Sequence, residues 1–258
     1  MNSDQILNDY LSVKKYIKKE TNSFLRKSRN NNFKKLREIK FNLKEEYKYT
    51  PFKKNLQNNY EINFEKDSKE KSSIFKQILP YVINNNQVFQ IITVDGKIIN
   101  KFSNIPSYIS FKNFKDLEKN ERALLNQYFG ENDDSDTDMF SAINGILWSE
   151  GLFIHIKKEQ EIAKPLIINN FFTSENNICN SQVRKFILME KNSKLSVYES
   201  ESSLVSNNFN SSVSEIILED SSELDYFKIQ NDLNNSTSYN SINIKQKKNS
   251  ISNIFTFS

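Results

Sequence analysis

Glycine and proline are scarce in this chain: its 258 residues hold four of each. Four scattered glycines exclude a phosphate-cradling loop, which needs several of them within a few residues. The single cysteine, Cys179, excludes an internal disulfide framework and points to a reducing compartment. With one histidine besides, His155, the thiolates and imidazoles for a complete zinc or cluster site are missing. No apolar run approaches the about 18 residues that cross a bilayer. Lys14, Lys15, Lys18, Lys19 and Glu20 interrupt every candidate signal-peptide core. A soluble, cytoplasmic protein is expected, with no membrane partner.

Asparagine and lysine are abundant. About one residue in seven is Asn, a bias spread over the whole chain, so no single Asn or Lys counts as a functional signal. The net charge of +4 is unevenly placed: residues 1–60 hold 15 Lys/Arg against 6 Asp/Glu. Such a head can contact nucleic acid, but it carries no recognition-helix pattern, zinc spacing or aromatic platform. It reads as a solvated helical face, with no nucleic-acid partner.

Ser3–Glu20 reads as a helix with Ile6, Leu7, Tyr10, Leu11 and Ile17 on one stripe. A second helix is expected from Phe24 to about Phe41, and a poorly ordered connector over Gln57–Ser73. Val88–Ile99 reads as a hairpin about Asp95-Gly96, a pair suited to positive φ. Phe114–Phe129 has helical spacing and stops at Gly130. A short helix from about Thr137 to Ser149 follows, closed by Gly151, and strands begin at Leu152. Two regions are expected: residues 1–135, mainly helical with a short hairpin, and residues 136–258, strand-rich.

The strand-rich half repeats itself. Phe186–Glu190 with Leu195, Ile216–Glu219 with Leu224, and Ile242–Gln246 with Ile251 share one layout. An apolar run ends at Glu190, Glu219 or Gln246, four turn-type residues follow, and an aliphatic residue arrives five positions on. These markers stand 29 and 27 residues apart. Stacked copies of such a unit make a parallel β-solenoid, each turn rising by roughly 4.8 Å. The same turn residues also suit hairpins, which give an antiparallel sandwich. The pattern alone admits both.

Candidates for chemistry are few. His155 lies within an apolar strand, where a packed or hydrogen-bonded structural role suits it better than catalysis. Cys179 lacks any ligand partner at metal-binding spacing, which leaves only a remote pairing with His155. Glu199, Glu201, Glu215, Glu219, Glu223 and Asp225 contain enough carboxylates for a pair that cleaves polysaccharide, and a solvated outer face accounts for them equally. Arg184, the one arginine of this half, is expected at the surface, with a buried ion pair as its alternative. No catalytic, cofactor-binding or metal-binding residues are assigned.

Several stretches resemble one family. Glu46–Thr50 is similar to the Glu-Trp-Arg/Lys-Tyr-Thr element of the SufD proteins of the SUF iron–sulfur assembly system, with Tyr47 in place of Trp. Phe140–Ile156, running on to Lys164-Pro165-Leu166, resembles the family's Leu-Asn-x-Ala…Asp-Gly-x-x-Ile-His-Ile…Lys-Pro signature, with Glu150 in place of Asp. Glu215–Glu219, Tyr226–Gln230 and Ile242–Ser258 follow the order of its β-helix turns. The resemblance implies an α+β N-terminal region followed by a right-handed, single-stranded parallel β-helix. It also implies a non-catalytic scaffold of the SufB/SufD family, with SufB-like and SufC-like partners. Iron, sulfide and, through the SufC ATPase, ATP would be handled by the assembled complex, and no cofactor is expected on this chain alone. Typical members continue through further turns and a C-terminal helical domain. The sequence stops at Ser258, so the expected β-helix is incomplete, shortened or completed by a separate polypeptide. The rival from another class is a β-helix polysaccharide-active enzyme or carbohydrate-binding module.

Overall fold

The structure, a computed structural model, describes residues 11, 22–38, 61–62, 72–130, 139–173, 179–206, 208–232 and 235–258. Its first elements are helix α1 (Ser23–Glu38), strand β1 (Glu61–Ile62), helix α2 (Ser72–Ile78), strands β2 (Phe89–Val94), β3 (Lys97–Ile98) and β4 (Ser110–Asn113), and helices α3 (Lys119–Tyr128) and α4 (Met139–Leu147). Strands follow: β5 (Glu150–Ile156), β6 (Leu166–Phe172), β7 (Cys179–Met189), β8 (Lys194–Ser203), β9 (Phe209–Leu218), β10 (Glu223–Asn231), β11 (Thr237–Gln246) and β12 (Ile251–Phe257).

The strands settle the choice left open by the repeat. β5, β7, β9 and β11 pair in parallel as one sheet, and β6, β8, β10 and β12 as a second. The chain alternates between the two, climbing one strand per circuit, so the strand half is a parallel β-solenoid. At its base, β4 lies antiparallel against β5, while β2 of the β2–β3 hairpin pairs in parallel with β6. That hairpin turns at Asp95 (φ 49°) and Gly96 (φ 81°), as its sequence requires. A side chain at Gly96 would put its Cβ 2.8 Å from Val183 Cγ1.

Each repeat's turn residues form an arc between the sheets rather than a hairpin. Asn192 (φ 58°), Ser221 (φ 56°) and Asn249 (φ 58°) take the left-handed conformation at the third arc position. The serine that follows folds back in every copy: Ser193 Oγ donates to Glu190 O (2.6 Å), Ser222 Oγ to Glu219 O (2.8 Å), and Ser250 Oγ to Lys247 O (2.8 Å). Arcs stack as well, through Asn192 N–H to Asp220 O (3.0 Å) and Ser221 N–H to Lys248 O (2.9 Å).

The third copy is displaced by one residue from its expected alignment. Met189, Leu218 and Gln246 are register partners, so the true spacings are 29 and 28 residues. Ile251 then pairs with Glu223, and Ser252 takes the inward place of Leu224. A one-residue shift reverses the face of a strand. Ile251, Phe255 and Phe257 therefore point out, at 52%, 47% and 61% exposure, while Ile254 turns toward the core.

Between the sheets lies the main core, with Leu152, Ile154, Ile156, Leu166, Ile187, Met189, Leu195, Val197, Ile216, Leu218 and Leu224. A second cluster covers the outer side of the first sheet: Phe153, Phe186, Leu188 and Ile217 pack beneath Leu25, Phe114, Leu125, Phe129 and Trp148 of the helical region. Each such buried side chain contributes about 1.5–3 kcal/mol. α2 with Val82, Ile99 and Phe102 covers Ile92, Val94 and Phe171 at the base of the second sheet.

Helix bounds differ modestly from expectation. α1 covers Ser23–Glu38 of the helix expected to about Phe41, the remainder lying outside the described residues, and Phe114–Asp116 forms a 3₁₀ turn, leaving the helix to start at Lys119. Gly151 lies within β5 rather than closing a helix: Phe114 packs on its Cα, where a Cβ would meet Phe114 Cδ2 at 2.2 Å. Within the expected connector, β1 and the start of α2 are ordered elements. The expected Ser3–Glu20 helix lies outside the described residues except for Leu11, which is helical, and so do residues 46–50 and 131–138.

Candidate functional site

Strand alternation brings charged residues into the interior. On β7, Lys185 shares the inward face with Ile187 and Met189; on β8, Glu199 and Glu201 follow Leu195 and Val197; on β10, Lys228 follows Leu224 and Tyr226. The four charged side chains meet between the sheets, all of them buried. Lys185 Nζ donates to Glu199 Oε1, to Glu201 Oε1 (3.1 Å) and to Ser212 Oγ (2.7 Å). Lys228 Nζ donates to Glu201 Oε1 (2.9 Å) and Asn240 Oδ1 (2.8 Å), with Glu199 Oε1 at 3.7 Å. Glu199 also accepts from Asn170 Nδ2 (2.7 Å) and from the Tyr226 hydroxyl, and Asn170 in turn accepts from Thr93 Oγ1 (2.8 Å).

Two ammoniums and two carboxylates balance in charge. Burial pushes the Glu201 carboxyl up, but Lys228 and Lys185 outweigh it and hold the group well below the usual carboxylate range. Burial likewise works to lower the Lys185 pKa, and Glu199 and Glu201 overcome it and raise it. Burial and then the Glu199 charge push the Tyr226 phenol up. The cluster is hydrogen-bonded among its own members and shut from solvent. It holds neighbouring turns together and has no opening for a substrate. The expectation of a solvated outer face thus fails for Glu199 and Glu201.

A second network lies outside the first sheet, under the helices. Arg184, expected at the surface, is buried and takes its alternative role: Nη1 donates to Glu215 Oε1 (2.6 Å) and Nε to Asn144 Oδ1 (3.0 Å). Glu215 Oε2 accepts the Gly130 N–H (2.8 Å), and Asn144 Nδ2 reaches Ser211 Oγ (3.0 Å). This network joins the end of α3, the middle of α4 and strands β7 and β9. Arg29 on α1 adds a clasp, donating to Ile146 O (2.9 Å) and Trp148 O (2.8 Å) at the end of α4 while lying 3.5 Å from the Trp148 ring centre.

The remaining sequence candidates are scattered. His155 is buried and pairs through Nε2 with Glu190 Oε1 (2.9 Å), a structural role as its strand context suggested. It aligns with Leu188, nine positions along β7 from Cys179. At about 3.3 Å per residue that separates the two backbones by about 30 Å, so a Cys179–His155 pairing is ruled out. Glu219 pairs with Lys247 (2.7 Å) and Glu223 with Lys194 (3.0 Å), while Asp225 accepts from Asn253 Nδ2 (2.9 Å). None of these carboxylates shares a site with the buried pair. Among the described residues, no three His, Cys, Asp or Glu side chains come together as a metal site.

The outer face of the second sheet carries a column of rings missed by the sequence reading. Tyr198 and Phe227 stack at 4.7 Å and 7°, Phe227 and Phe255 at 4.9 Å and 8°. These spacings equal the rise of one turn. Because the rings cover one another's faces, the column does not offer the open faces on which sugars stack, which weighs against the carbohydrate alternative.

Two family models cover nearly the whole chain. The SufBD protein N-terminal region matches residues 1–168, and the SufBD core domain of SUF system FeS cluster assembly matches residues 171–258. No curated protein matches.

Proposed function

The chain belongs to the SufB/SufD family of SUF-system iron–sulfur cluster assembly, and from this we propose that it is a SufD-type scaffold subunit without catalysis of its own. Membership supports a role in iron–sulfur assembly; the SufD assignment rests on the motif resemblance at Glu46–Thr50 and Phe140–Pro165. The observation that carries the scaffold reading is the interior of the solenoid. Its concentrated ionisable groups, Lys185, Glu199, Glu201 and Lys228, neutralise one another out of reach of any substrate.

A protein so built acts through its outside. We assign it SufB-like and SufC-like partners, with iron, sulfide and ATP handled by the complex, no resident cofactor, and a cytoplasmic location. Among the described residues, no helix is long and apolar enough to cross a membrane. Co-purification with SufB and SufC homologues under reducing conditions with ATP tests the reading. A stable complex is expected; failure of both partners to associate would overturn it.

A further inference from the structure

We draw no further inference here: the strongest candidate, the uncovered column of stacked rings Tyr198, Phe227 and Phe255 on the outer face of the second sheet, is an apolar face for which nothing in the structure shows what covers it.

Discussion

Deleting the Lys228 ammonium should cost more stability than deleting Lys228 and Glu201 together. Lys228→Met keeps an unbranched stem of similar volume but removes the charge. Lys185 (3.1 Å) is then the cation left beside Glu201, Asn240 Oδ1 loses its 2.8 Å donor, and the interior carries one uncompensated negative charge. Stranding a buried charge costs about 3–5 kcal/mol. Glu201→Leu strands Lys228, whose nearest remaining carboxylate oxygen is Glu199 Oε1 at 3.7 Å, and should cost a similar amount. In Lys228→Met/Glu201→Leu the interior is neutral again, with Lys185 and Glu199 still paired. An apolar pair replacing an ion pair is roughly neutral, so the main residual is the orphaned Asn240 oxygen, about 1–3 kcal/mol. The two substitutions should therefore couple by about 3 kcal/mol or more. Urea unfolding of the four proteins, followed by circular dichroism, measures this cycle. Additive losses, or a Lys228→Met loss under about 1 kcal/mol, would refute the claim that these charges act as one closed unit.

The same residues set an acid limit. Glu201 has a folded-state pKa below its ordinary value of 4.5, so its contribution is complete above pH 4.5 and disappears as pH falls toward the folded value. Acid titration of stability should be steeper below pH 4.5 in the wild type than in the double variant, and equal slopes would count against this. Arg184→Leu leaves Glu215 with the Gly130 N–H but without its counter-ion, for an expected loss of about 3–5 kcal/mol. Because that network fastens the helices over Trp148, the sole tryptophan, its emission should shift to the red before the strand signal melts. Ser221→Gly, at φ 56°, should gain up to about 1 kcal/mol in thermal unfolding, since glycine enters the left-handed region without penalty.

Much of this architecture was readable because the arcs impose a local chemical demand. A left-handed third residue followed by a serine that bonds back admits only small polar types, and Asn192-Ser193, Ser221-Ser222 and Asn249-Ser250 supply them. The direction of the strands was not readable, because an arc and a hairpin draw on the same residues; family resemblance resolved that point. The one-residue displacement of the third copy is not legible in the sequence, because Ile251 looks like an inward aliphatic although its register partner is the outward Glu223. The interior charges carried a usable signal. Glu199 and Glu201 stand at the same parity as Leu195 and Val197, and Lys185 at that of Ile187 and Met189, so alternation alone placed them inward. The usual preference of carboxylates for solvent points the other way. Arg184 gave no such hint, since its burial depends on helices from elsewhere in the chain. The column of rings was equally hidden, as Tyr198, Phe227 and Phe255 align only once the register is known.

The two edges of the solenoid differ in chemistry, and the difference follows from how the sheets are joined. From β7 onward, at one edge, every connection is a four-residue arc, Met189 to Lys194, Leu218 to Glu223 and Gln246 to Ile251. Identical arcs keep the strands level, and the core beside them is dry, with Ile187, Met189, Ile216, Leu218, Leu195 and Leu224. At the other edge the connections vary: Phe172 to Cys179 spans six residues, Ser203 to Phe209 and Asn231 to Thr237 five. There the interior is polar. Asp95 accepts from Thr173 Oγ1 (2.7 Å) and Ser181 Oγ (3.1 Å), and Ser203 donates to Asp232 (2.6 Å) while accepting from Asn210 (2.6 Å). Here side chains from successive turns bond one another directly, and these directional hydrogen bonds hold the register that arcs hold opposite. The Lys185–Glu201 and Lys228–Glu201 pairs lie between these regimes and tie β8 both to β7 of the opposite sheet and to its neighbour β10. Interior polarity is thus consumed in holding turns level, and the outer faces are what the solenoid presents to its surroundings.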